Sequence, residues 1–558
     1  MSGNWKRCVT VLSLIVVLLA GAAGDALAKT PYLQKKGTAT QLIVDGRPYV
    51  MLGGELHNSS SSSLEYMEAI WDKLVKLNVN TVLAPISWEL VEPEEGTYEF
   101  RLIDGLVEKA REHDLKLVFL WFGSWKNGES SYCPGWVKTN LARFARAQNE
   151  SGKNLNVLSV FSEEACAADA QAFAAVMRHI REIDEKENTV IMVQVENEVG
   201  LLTASRDRSA AAESVFKSAV PSELMSNLVK NKENLLAELK KTWGRTGFRE
   251  NGSWQEVFGE GIETDEIFMA WHYARYINKV VAAGKKEYPL PMYVNAWIVQ
   301  FAGEKPGQYP SGGPISKVLD IWRAGGPQID IFAPDIYLPD FKRICASYTR
   351  SDNPLLIPEA TGDVWFKLEA WRLDESARNV FWAIAEHDAI CFAPFGVEGT
   401  DVNQSIVQSY EVLSELMPLI TKYQGTGKMV GVLQEKCIDE EKGVDVQMGE
   451  YVGHISYMSE DKNDRGYGLI INTRPDEYLV AGYGFSVKFE PSTAGPRYAG
   501  ILEAWEGRYE NGKWISGRRL NGDEAGHGSR VQVPPNRWDR YDRSRRPRVV
   551  RVKLYRHD

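Results

Sequence analysis

The sequence predicts an α/β protein built as a (β/α)8 TIM barrel that is followed by a smaller antiparallel β domain. Eight apolar, strand-like runs alternate with helix-like segments between Tyr49 and Pro394, and this alternation is typical of a parallel sheet. Eight is also the number of parallel strands that closes such a barrel. The chain has 558 residues, of which 44% are hydrophobic, so a second domain with its own core is expected.

The individual elements follow from the periodicity of the apolar residues. The predicted strands are Tyr49 to Leu56, Val79 to Ile86, Lys116 to Phe122, Thr189 to Val195, Met292 to Trp297, Ile329 to Ile336, Leu355 to Glu359 and Ala389 to Pro394. The predicted helices are Leu64 to Leu77, Leu102 to His113, Ala167 to Ile183, Asp265 to Ala283 and Asp374 to Glu386. A hairpin that turns at Asp45-Gly46 is expected before the first strand.

Changes of composition divide the chain into segments. A basic pair and the apolar run Val9 to Ala20 precede Ala26-Leu27-Ala28, which is the pattern of a signal peptide. We therefore expect residues 1–28 to be removed and the mature protein to be exported, to the periplasm or outside the cell. Residues 29–424 form the predicted barrel, with an insertion at about 201–263. Residues 425–558 contain short alternating strands, which favour a β-sandwich or jelly-roll-like domain.

The composition also narrows the class of ligand. A net charge of −10 argues against a nucleic-acid surface, and no membrane contact is expected once the leader is removed. The eight dispersed His residues form no paired ligand motif, so we expect neither a metal nor a cofactor. The 17 Trp and 23 Tyr suit a carbohydrate ligand, because aromatic rings pack on apolar faces. A homo-oligomer is compatible with the sequence.

The strongest catalytic candidate ends the fourth predicted strand. The segment Val193 to Gly200 reads VQVENEVG, and polar residues at the carboxyl end of a barrel strand are where active sites lie. Alternation places Gln194, Glu196 and Glu198 on one face of the strand. We interpret Glu196, which lies deeper, as a structural partner, and Glu198, at the rim, as a catalytic acid/base.

A second carboxylate, Glu359, ends the seventh predicted strand in the segment LLIPEATG. Strands four and seven can turn two carboxyl groups toward one sugar ring. In a retaining glycosidase these groups stand about 5 to 5.5 Å apart, so that one attacks the anomeric carbon while the other protonates the leaving oxygen. Glu359 is the predicted nucleophile, and Glu198 is the predicted proton donor, which later activates water.

Further residues are candidates for substrate binding. Asn197 is expected to bind the sugar 2-hydroxyl, and the hydroxyl of Tyr337, after the sixth strand, to orient Glu359. Aromatic residues near strand ends are candidate sugar platforms, although each has a packing role as its alternative. These platform candidates are Trp88, Trp121, Trp125, Trp297 and Trp365.

The chain resembles glycoside hydrolase family 35, the β-galactosidases. Besides residues 193–200, the resemblance rests on GGELH at 53–57, NTV at 80–82 and WELVEPEEG at 88–96. In that family the acid/base is the glutamate that follows an asparagine, and this glutamate corresponds to Glu198. The family's nucleophile ends strand seven and corresponds to Glu359. The resemblance implies release of terminal β-linked galactose and adds Glu55 and Asn127 to the expected substrate-binding residues.

One segment departs from the animal-type members of that family. They carry Cys-Ala-Glu-Trp after strand three, whereas residues 121–128 here are WFGSWKNG. The sequence therefore looks closer to a bacterial branch of the family that ends in a small β domain and includes enzymes acting on plant polysaccharide side chains such as xyloglucan. The alternatives are another barrel glycosidase of the same clan, such as a family 42-like β-galactosidase or an endo-glycanase, and a carbohydrate-binding protein without activity.

Overall fold

The computed structural model describes residues 29–337, 340–361, 375–436, 441–458, 465–520, 522–535 and 546–558. The expected signal peptide at 1–28 and the platform candidate Trp365 lie outside these ranges.

In chain order the strands are β1 (Tyr32–Lys36), β2 (Ala39–Val44), β3 (Arg47–Tyr49), β4 (Met51–Glu55), β5 (Thr81–Ser87), β6 (Lys116–Lys126), β7 (Arg146–Gln148), β8 (Asn154–Leu158), β9 (Val190–Asn197), β10 (Met292–Trp297), β11 (Ile331–Asp335), β12 (Leu356–Ala360), β13 (Cys391–Pro394), β14 (Met429–Leu433), β15 (Gly443–Met448), β16 (Tyr451–Tyr457), β17 (Tyr467–Arg474), β18 (Glu477–Tyr483), β19 (Phe485–Pro491), β20 (Tyr498–Glu510), β21 (Lys513–Arg519), β22 (Arg530–Val533) and β23 (Arg548–His557).

The helices surround the barrel strands and fill the insertion. They are α1 (Leu64–Glu68), α2 (Trp71–Lys76), α3 (Trp88–Val91), α4 (Arg101–Glu112), α5 (Gly135–Thr139), α6 (Glu163–Asp184), α7 (Ala210–Lys217), α8 (Ser222–Lys230), α9 (Ala237–Gly244), α10 (Trp254–Phe258), α11 (Ile262–Glu287), α12 (Leu319–Gly325), α13 (Phe341–Tyr348), α14 (Glu375–His387) and α15 (Ser405–Tyr423).

Eight parallel strands form the predicted barrel. Their order is β11-β10-β9-β6-β5-β4-β13-β12, so β9 is the fourth barrel strand and β12 the seventh. The two end strands meet where the backbone N–H of Ile336 donates to the carbonyl of Glu359 at 2.9 Å, beside a parallel bridge between Ile336 and Ala360. The predicted barrel and all eight of its strands are confirmed.

A three-stranded sheet, β1-β2-β3, covers the amino-terminal end of the barrel. Its expected hairpin turns at Asp45 and Gly46, whose φ angles are 50° and 72°, as a two-residue turn with left-handed backbone requires. Leu42 and Val44 of β2 join the buried cluster that fills the barrel interior, together with Met51 of β4. This apolar floor closes one end, so the interior opens only at the carboxyl ends of the strands.

The predicted helices are found as α4, α6, α11, α14 and a pair of short helices. The segment expected to be one helix from Leu64 to Leu77 is interrupted at Ala69 and Ile70, between α1 and α2. The insertion contains α7 to α10, and a short 3-10 turn, Lys232–Asn234, separates α8 from α9.

The carboxyl-terminal region forms two antiparallel sheets. One has the order β14-β17-β18-β23-β20-β21 and the other β15-β16-β19-β22. Apolar side chains from both sheets, such as Val480 and Val487, form one buried cluster between them, as in a β-sandwich. Strands β14 and β17 also pack on α14 of the barrel. Within the described part of the chain, every helix is too short or too polar to cross a bilayer.

Tyr410 of α15 ties an outer helix to two barrel strands. Its buried hydroxyl lies 2.8 Å from the carbonyl oxygen of Gly53 in β4 and 2.9 Å from that of Phe392 in β13, and its single hydrogen is shared between them. We expect Tyr410→Phe to lower the free energy of unfolding by about 1–2 kcal/mol, because buried carbonyl groups lose a donor. Thermal unfolding measures this, with Tyr498→Phe, at a site 55% exposed, as control; equal melting temperatures would contradict the prediction.

Candidate active site

Four carboxyl groups meet at the open end of the barrel. Glu55 ends β4, Glu198 follows β9, Asp335 ends β11 and Glu359 lies in β12, and all four side chains are buried. One oxygen each of Glu198, Asp335 and Glu359 lies within 4.8 Å of the other two. The two glutamates predicted from distant parts of the sequence therefore share one site.

Glu359 is held by donors from three neighbouring segments. Its Oε1 accepts hydrogen bonds from the amide of Asn197 at 3.1 Å and from the amide of Asn295 at 3.2 Å. Its Oε2 accepts one from the Tyr337 hydroxyl at 2.5 Å. Hydrogen bonds from several donors stabilise a buried negative charge, and they also fix the rotamer of the carboxylate.

The donors are themselves oriented by further contacts. Lys126, at the end of β6, donates to Oδ1 of Asn197 at 2.9 Å, which turns the Asn197 amide nitrogen toward Glu359. Asn295 accepts from the backbone N–H of Glu198 at 3.0 Å and donates to Asp335 at 2.8 Å. Asn295 thus links the segments that carry Glu198, Asp335 and Glu359.

Burial and mutual repulsion favour the protonated state of the other acids. Burial, followed by the charge of Glu359, raises the pKa of Glu198 to about 8, although the Lys126 ammonium opposes the shift. The same two causes raise the pKa of Asp335 and that of Glu55 well above their ordinary values. At neutral pH the site therefore contains a protonated Glu198 facing a hydrogen-bonded Glu359.

Glu55 and Gln194 are the least satisfied polar groups of the site among the described residues. Both carboxyl oxygens of Glu55 are buried and lack a hydrogen-bond partner among the described residues, as do the amide oxygen and nitrogen of Gln194 on β9. Such groups are costly to bury, so their retention at the centre of the barrel suits contact with a polar ligand. This position agrees with the expected substrate-binding role of Glu55 without testing it.

The end of β9 departs from the predicted alternation. Glu196 and Glu198 have positive φ angles of 63° and 45°, and four residues of β6 lie opposite one residue of β9 where the pairing of the two strands shifts register. Gln194, Glu196 and Glu198 therefore do not share one face. The backbone N–H groups of Asn127 and Gly128 donate to the carbonyls of Asn197 and Glu198, at 3.2 and 3.1 Å, and hold the distorted segment.

Glu196 points away from the catalytic groups and stabilises this distortion. It accepts hydrogen bonds from the backbone N–H groups of Ser124 and Trp125 at 3.1 and 2.7 Å. Asp169 of α6, which binds the Ser124 hydroxyl at 2.6 Å, lies beside it. A Cβ added to Gly123 would come within 2.7 Å of Glu196 and 2.8 Å of Asp169, so the pair requires glycine there. The contacts of Glu196 are those of a structural partner.

Three of the tryptophans predicted as sugar platforms are packed between the barrel and its helices. Trp88, Trp121 and Trp125 are fully buried. The indole of Trp88 donates to Glu92 at 2.7 Å, and that of Trp121 to Asp169 at 2.9 Å. The platform prediction is wrong for these residues, because all three rings belong to the buried apolar cluster between strands and helices and have no face open to a ligand. Trp297 remains partly exposed at the end of β10.

Three site residues carried no predicted role in the sequence. Lys126, Asn295 and Asp335 lie at or near the carboxyl ends of the third, fifth and sixth barrel strands. A polar side chain at such a position is the signal that identified Glu198, and it was available for these residues as well. Asn127, predicted to bind substrate, is exposed, and the structure shows it positioning Asn197 through its backbone.

The carboxyl groups of Glu198, Asp335 and Glu359 lie close enough together to be considered as ligands of a cation. In this site, however, both oxygens of Glu359 already accept hydrogen bonds from amide and phenol donors. Asp335 likewise accepts from Asn295. The donor pattern suits one ionised and two protonated carboxyl groups, which is an arrangement for proton transfer.

Glu55→Gln is expected to stabilise the protein in a pH-dependent way. Because the pKa of Glu55 is raised on folding, the native state keeps a proton that the unfolded chain releases above about pH 4.3. Below that pH the buried Glu55 carboxyl does not destabilise the native state. Above it, this carboxyl lowers the free energy of unfolding increasingly as the pH rises toward neutrality. The variant should therefore exceed the wild-type melting temperature at pH 7 but not at pH 4, as measured by thermal unfolding. Glu65→Gln, at an exposed position of α1, is the control, and a pH-independent difference for Glu55→Gln would contradict this reasoning.

Comparison with known proteins gives two family matches. Residues 41–247 match glycosyl hydrolases family 35, and residues 406–532 match a domain of unknown function, DUF5597. A β-galactosidase of Xanthomonas manihotis is 29% identical over 203 residues, which cover 34% of this chain and 31% of that protein. The chain thus aligns with about a third of the length of this curated relative.

Several solved structures align with part of the chain. The β-galactosidase of Bacillus circulans sp. alkalophilus aligns with a TM-score of 0.45 at 14% identity, over 66% of this chain and 57% of that one. The β-galactosidase of Rahnella sp. R3 gives 0.45 at 15% identity, over 69% and 58%. The sequence match covers the first four barrel strands and Glu198. Residues 41–247 are therefore similar to glycosyl hydrolases family 35.

Proposed function

We propose that the protein is a retaining exo-glycoside hydrolase, a β-galactosidase that removes terminal β-linked galactose by double displacement. The observation that carries the proposal is the separation of Glu198 and Glu359, whose nearest oxygens lie within 4.8 Å. Retaining enzymes need carboxyl groups about 5 to 5.5 Å apart, whereas inverting enzymes leave about 6.5 to 9.5 Å for a water molecule. The family match and the name of the Xanthomonas relative support galactose as the sugar.

In the first half-reaction Glu359 attacks the anomeric carbon and Glu198 gives its proton to the leaving oxygen. The raised pKa of Glu198 keeps that proton available at neutral pH, as a general acid requires. The three donors on Glu359 hold its oxygens in place, so little reorganisation precedes the attack. The second N–H of the Asn197 amide is the proposed donor to the sugar 2-hydroxyl.

In the second half-reaction Glu198 acts as a base. Formation of the glycosyl ester removes the charge of Glu359, which is one of the causes that raise the pKa of Glu198. Glu198 can then accept a proton from water while water attacks the anomeric carbon and Glu359 departs as a carboxylate. The loss of repulsion between the two acids thus converts Glu198 from a general acid in the first half-reaction to a general base in the second.

The natural substrate proposed is a galactose-bearing oligosaccharide or a polysaccharide side chain such as that of xyloglucan. A panel of aryl glycosides and polysaccharides, analysed for released monosaccharide, tests this proposal. Release of galactose alone supports it, whereas internal cleavage would favour an endo-glycanase. We further propose that the protein is exported, on the basis of the leader pattern in residues 1–28.

We expect Glu359→Gln to abolish turnover, with a loss of at least about 10⁴-fold in kcat, because the amide keeps the shape of the side chain but cannot form the glycosyl ester. The amide oxygen can still accept from Asn197 and Asn295, and the amide nitrogen can donate to the Tyr337 oxygen, so the variant should remain folded. Kinetics with an aryl β-galactoside and a melting curve measure the two expectations. A near-normal rate would refute the assignment of the nucleophile.

Glu198→Ala should lower the rate of the first half-reaction about 10²- to 10⁴-fold for substrates with poor leaving groups. The same step should slow much less for activated aryl galactosides. Azide should accelerate deglycosylation of the variant, since it needs no general base. In the wild type kcat/KM should fall as the pH rises through about 8, where Glu198 loses its proton, and this limb should be absent in the variant. Equal losses for good and poor leaving groups would show that Glu198 is not the proton donor.

A further inference from the structure

An open groove of about 970 Å³ lies at the carboxyl end of the barrel. Five hydroxyl or amide side chains between Asn58 and Ser63 form one part of its lining, the serine wall, and the lining also includes His57, Tyr66, Tyr132 and Phe395. We call this the serine groove. Its volume is at the upper end of the range of about 300–1,000 Å³ that is usual for ligand sites, so it can take more than a single sugar ring.

The chemistry of the lining is neutral. Hydroxyl groups, one amide, three aromatic rings and the imidazole of His57 face the groove, and its described lining includes no carboxylate, ammonium or guanidinium group. Serine hydroxyls both donate and accept hydrogen bonds, and aromatic rings offer flat apolar faces. This combination fits a neutral, polyhydroxylated ligand better than an anion, a cation or a charged peptide.

The serine wall is held in place before any ligand binds. One oxygen of Glu398 accepts from the backbone N–H of His57 at 3.0 Å and from the Ser60 hydroxyl at 2.5 Å, and it lies 3.0 Å from Nδ1 of His57. The His57 ring packs against the edge of Phe395 at 5.3 Å between centroids. A preformed wall lowers the entropic cost of binding.

Residues that line the groove are neighbours of catalytic-site residues at two places. Glu55 forms a backbone bridge with Phe395, and His57 follows Glu55 by two residues. At the second place, the ring of Phe122 lies 5.1 Å from that of Tyr132 and 5.0 Å from the Lys126 ammonium, which binds Asn197. A chain attached to a sugar in the catalytic centre can therefore extend into the groove.

We propose that the serine groove binds the aglycone part of the substrate, a chain of neutral sugar units, with Tyr66 and Tyr132 as stacking surfaces. The inference rests on the proposed glycosidase function and adds the class of aglycone to it. Tyr66 is 58% exposed, so its ring is accessible to a ligand, while its backbone N–H is fixed by the hydroxyl of Ser63 at 3.2 Å.

The test compares two substrates in Tyr66→Ala and Tyr132→Ala. One substrate is an aryl β-galactoside, and the other is an oligosaccharide of several neutral sugars that ends in β-galactose. We expect kcat/KM for the oligosaccharide to fall about tenfold more than for the aryl galactoside, because loss of a stacking ring removes contacts only with the longer aglycone. Tyr132→Phe, which keeps the ring, should retain most of the oligosaccharide activity.

Tyr498→Ala is the matched control, since Tyr498 is 55% exposed on the carboxyl-terminal sandwich and should leave both substrates unaffected. Equal losses on both substrates in Tyr66→Ala would overturn the groove proposal and leave the hydrolytic function intact. If the wild type cleaves neither substrate, the proposed function fails, and calorimetry with the same oligosaccharide still tests the groove. Binding that Tyr66→Ala weakens supports the groove, and binding that it leaves unchanged overturns it.

Discussion

The arrangement of this barrel depends on placing several carboxyl groups in a region with little access to water. An ionised carboxylate is stable there only if donors surround it, and Glu359 obtains three, from Asn197, Asn295 and Tyr337. The neighbouring acids Glu198 and Asp335 have raised pKa values because they are buried beside it. One ionised acid next to a protonated one is the asymmetry that acid-assisted displacement at a sugar requires.

The same site depends on a local distortion of the fourth barrel strand. With regular alternation, Asn197 and Glu196 would exchange faces, and the amide that binds Glu359 would point into the helical layer. The positive φ angles of Glu196 and Glu198 are supported by backbone donors from the loop after β6 and by the contacts of Glu196 with Ser124 and Trp125. Strain at a functional site is maintained when surrounding contacts over-determine it.

The ligand surface is divided between a polar centre and a neutral groove. Unpaired buried atoms of Glu55 and Gln194 offer hydrogen bonds to a sugar that fills the centre, whereas the serine groove offers hydroxyl groups and rings. The aromatic content of the chain first indicated a carbohydrate ligand, but Trp88, Trp121 and Trp125 proved to pack against helices. Tyr66 of α1 and Tyr132, together with Trp297 at the end of β10, have rings that remain at least partly open to solvent.

The sequence by itself determined the barrel, the hairpin before it, the β-rich carboxyl-terminal region and the positions of Glu198 and Glu359 at the ends of strands four and seven. These features follow from the spacing of apolar residues and from polar residues at strand ends, which are local properties of the chain. Only the tertiary structure decided which face Glu196 and the tryptophans occupy and that Lys126, Asn295 and Asp335 join the site. The reason is that a single extra residue in a strand reverses every side chain beyond it, and the contacts that stabilise such a distortion come from segments distant in sequence.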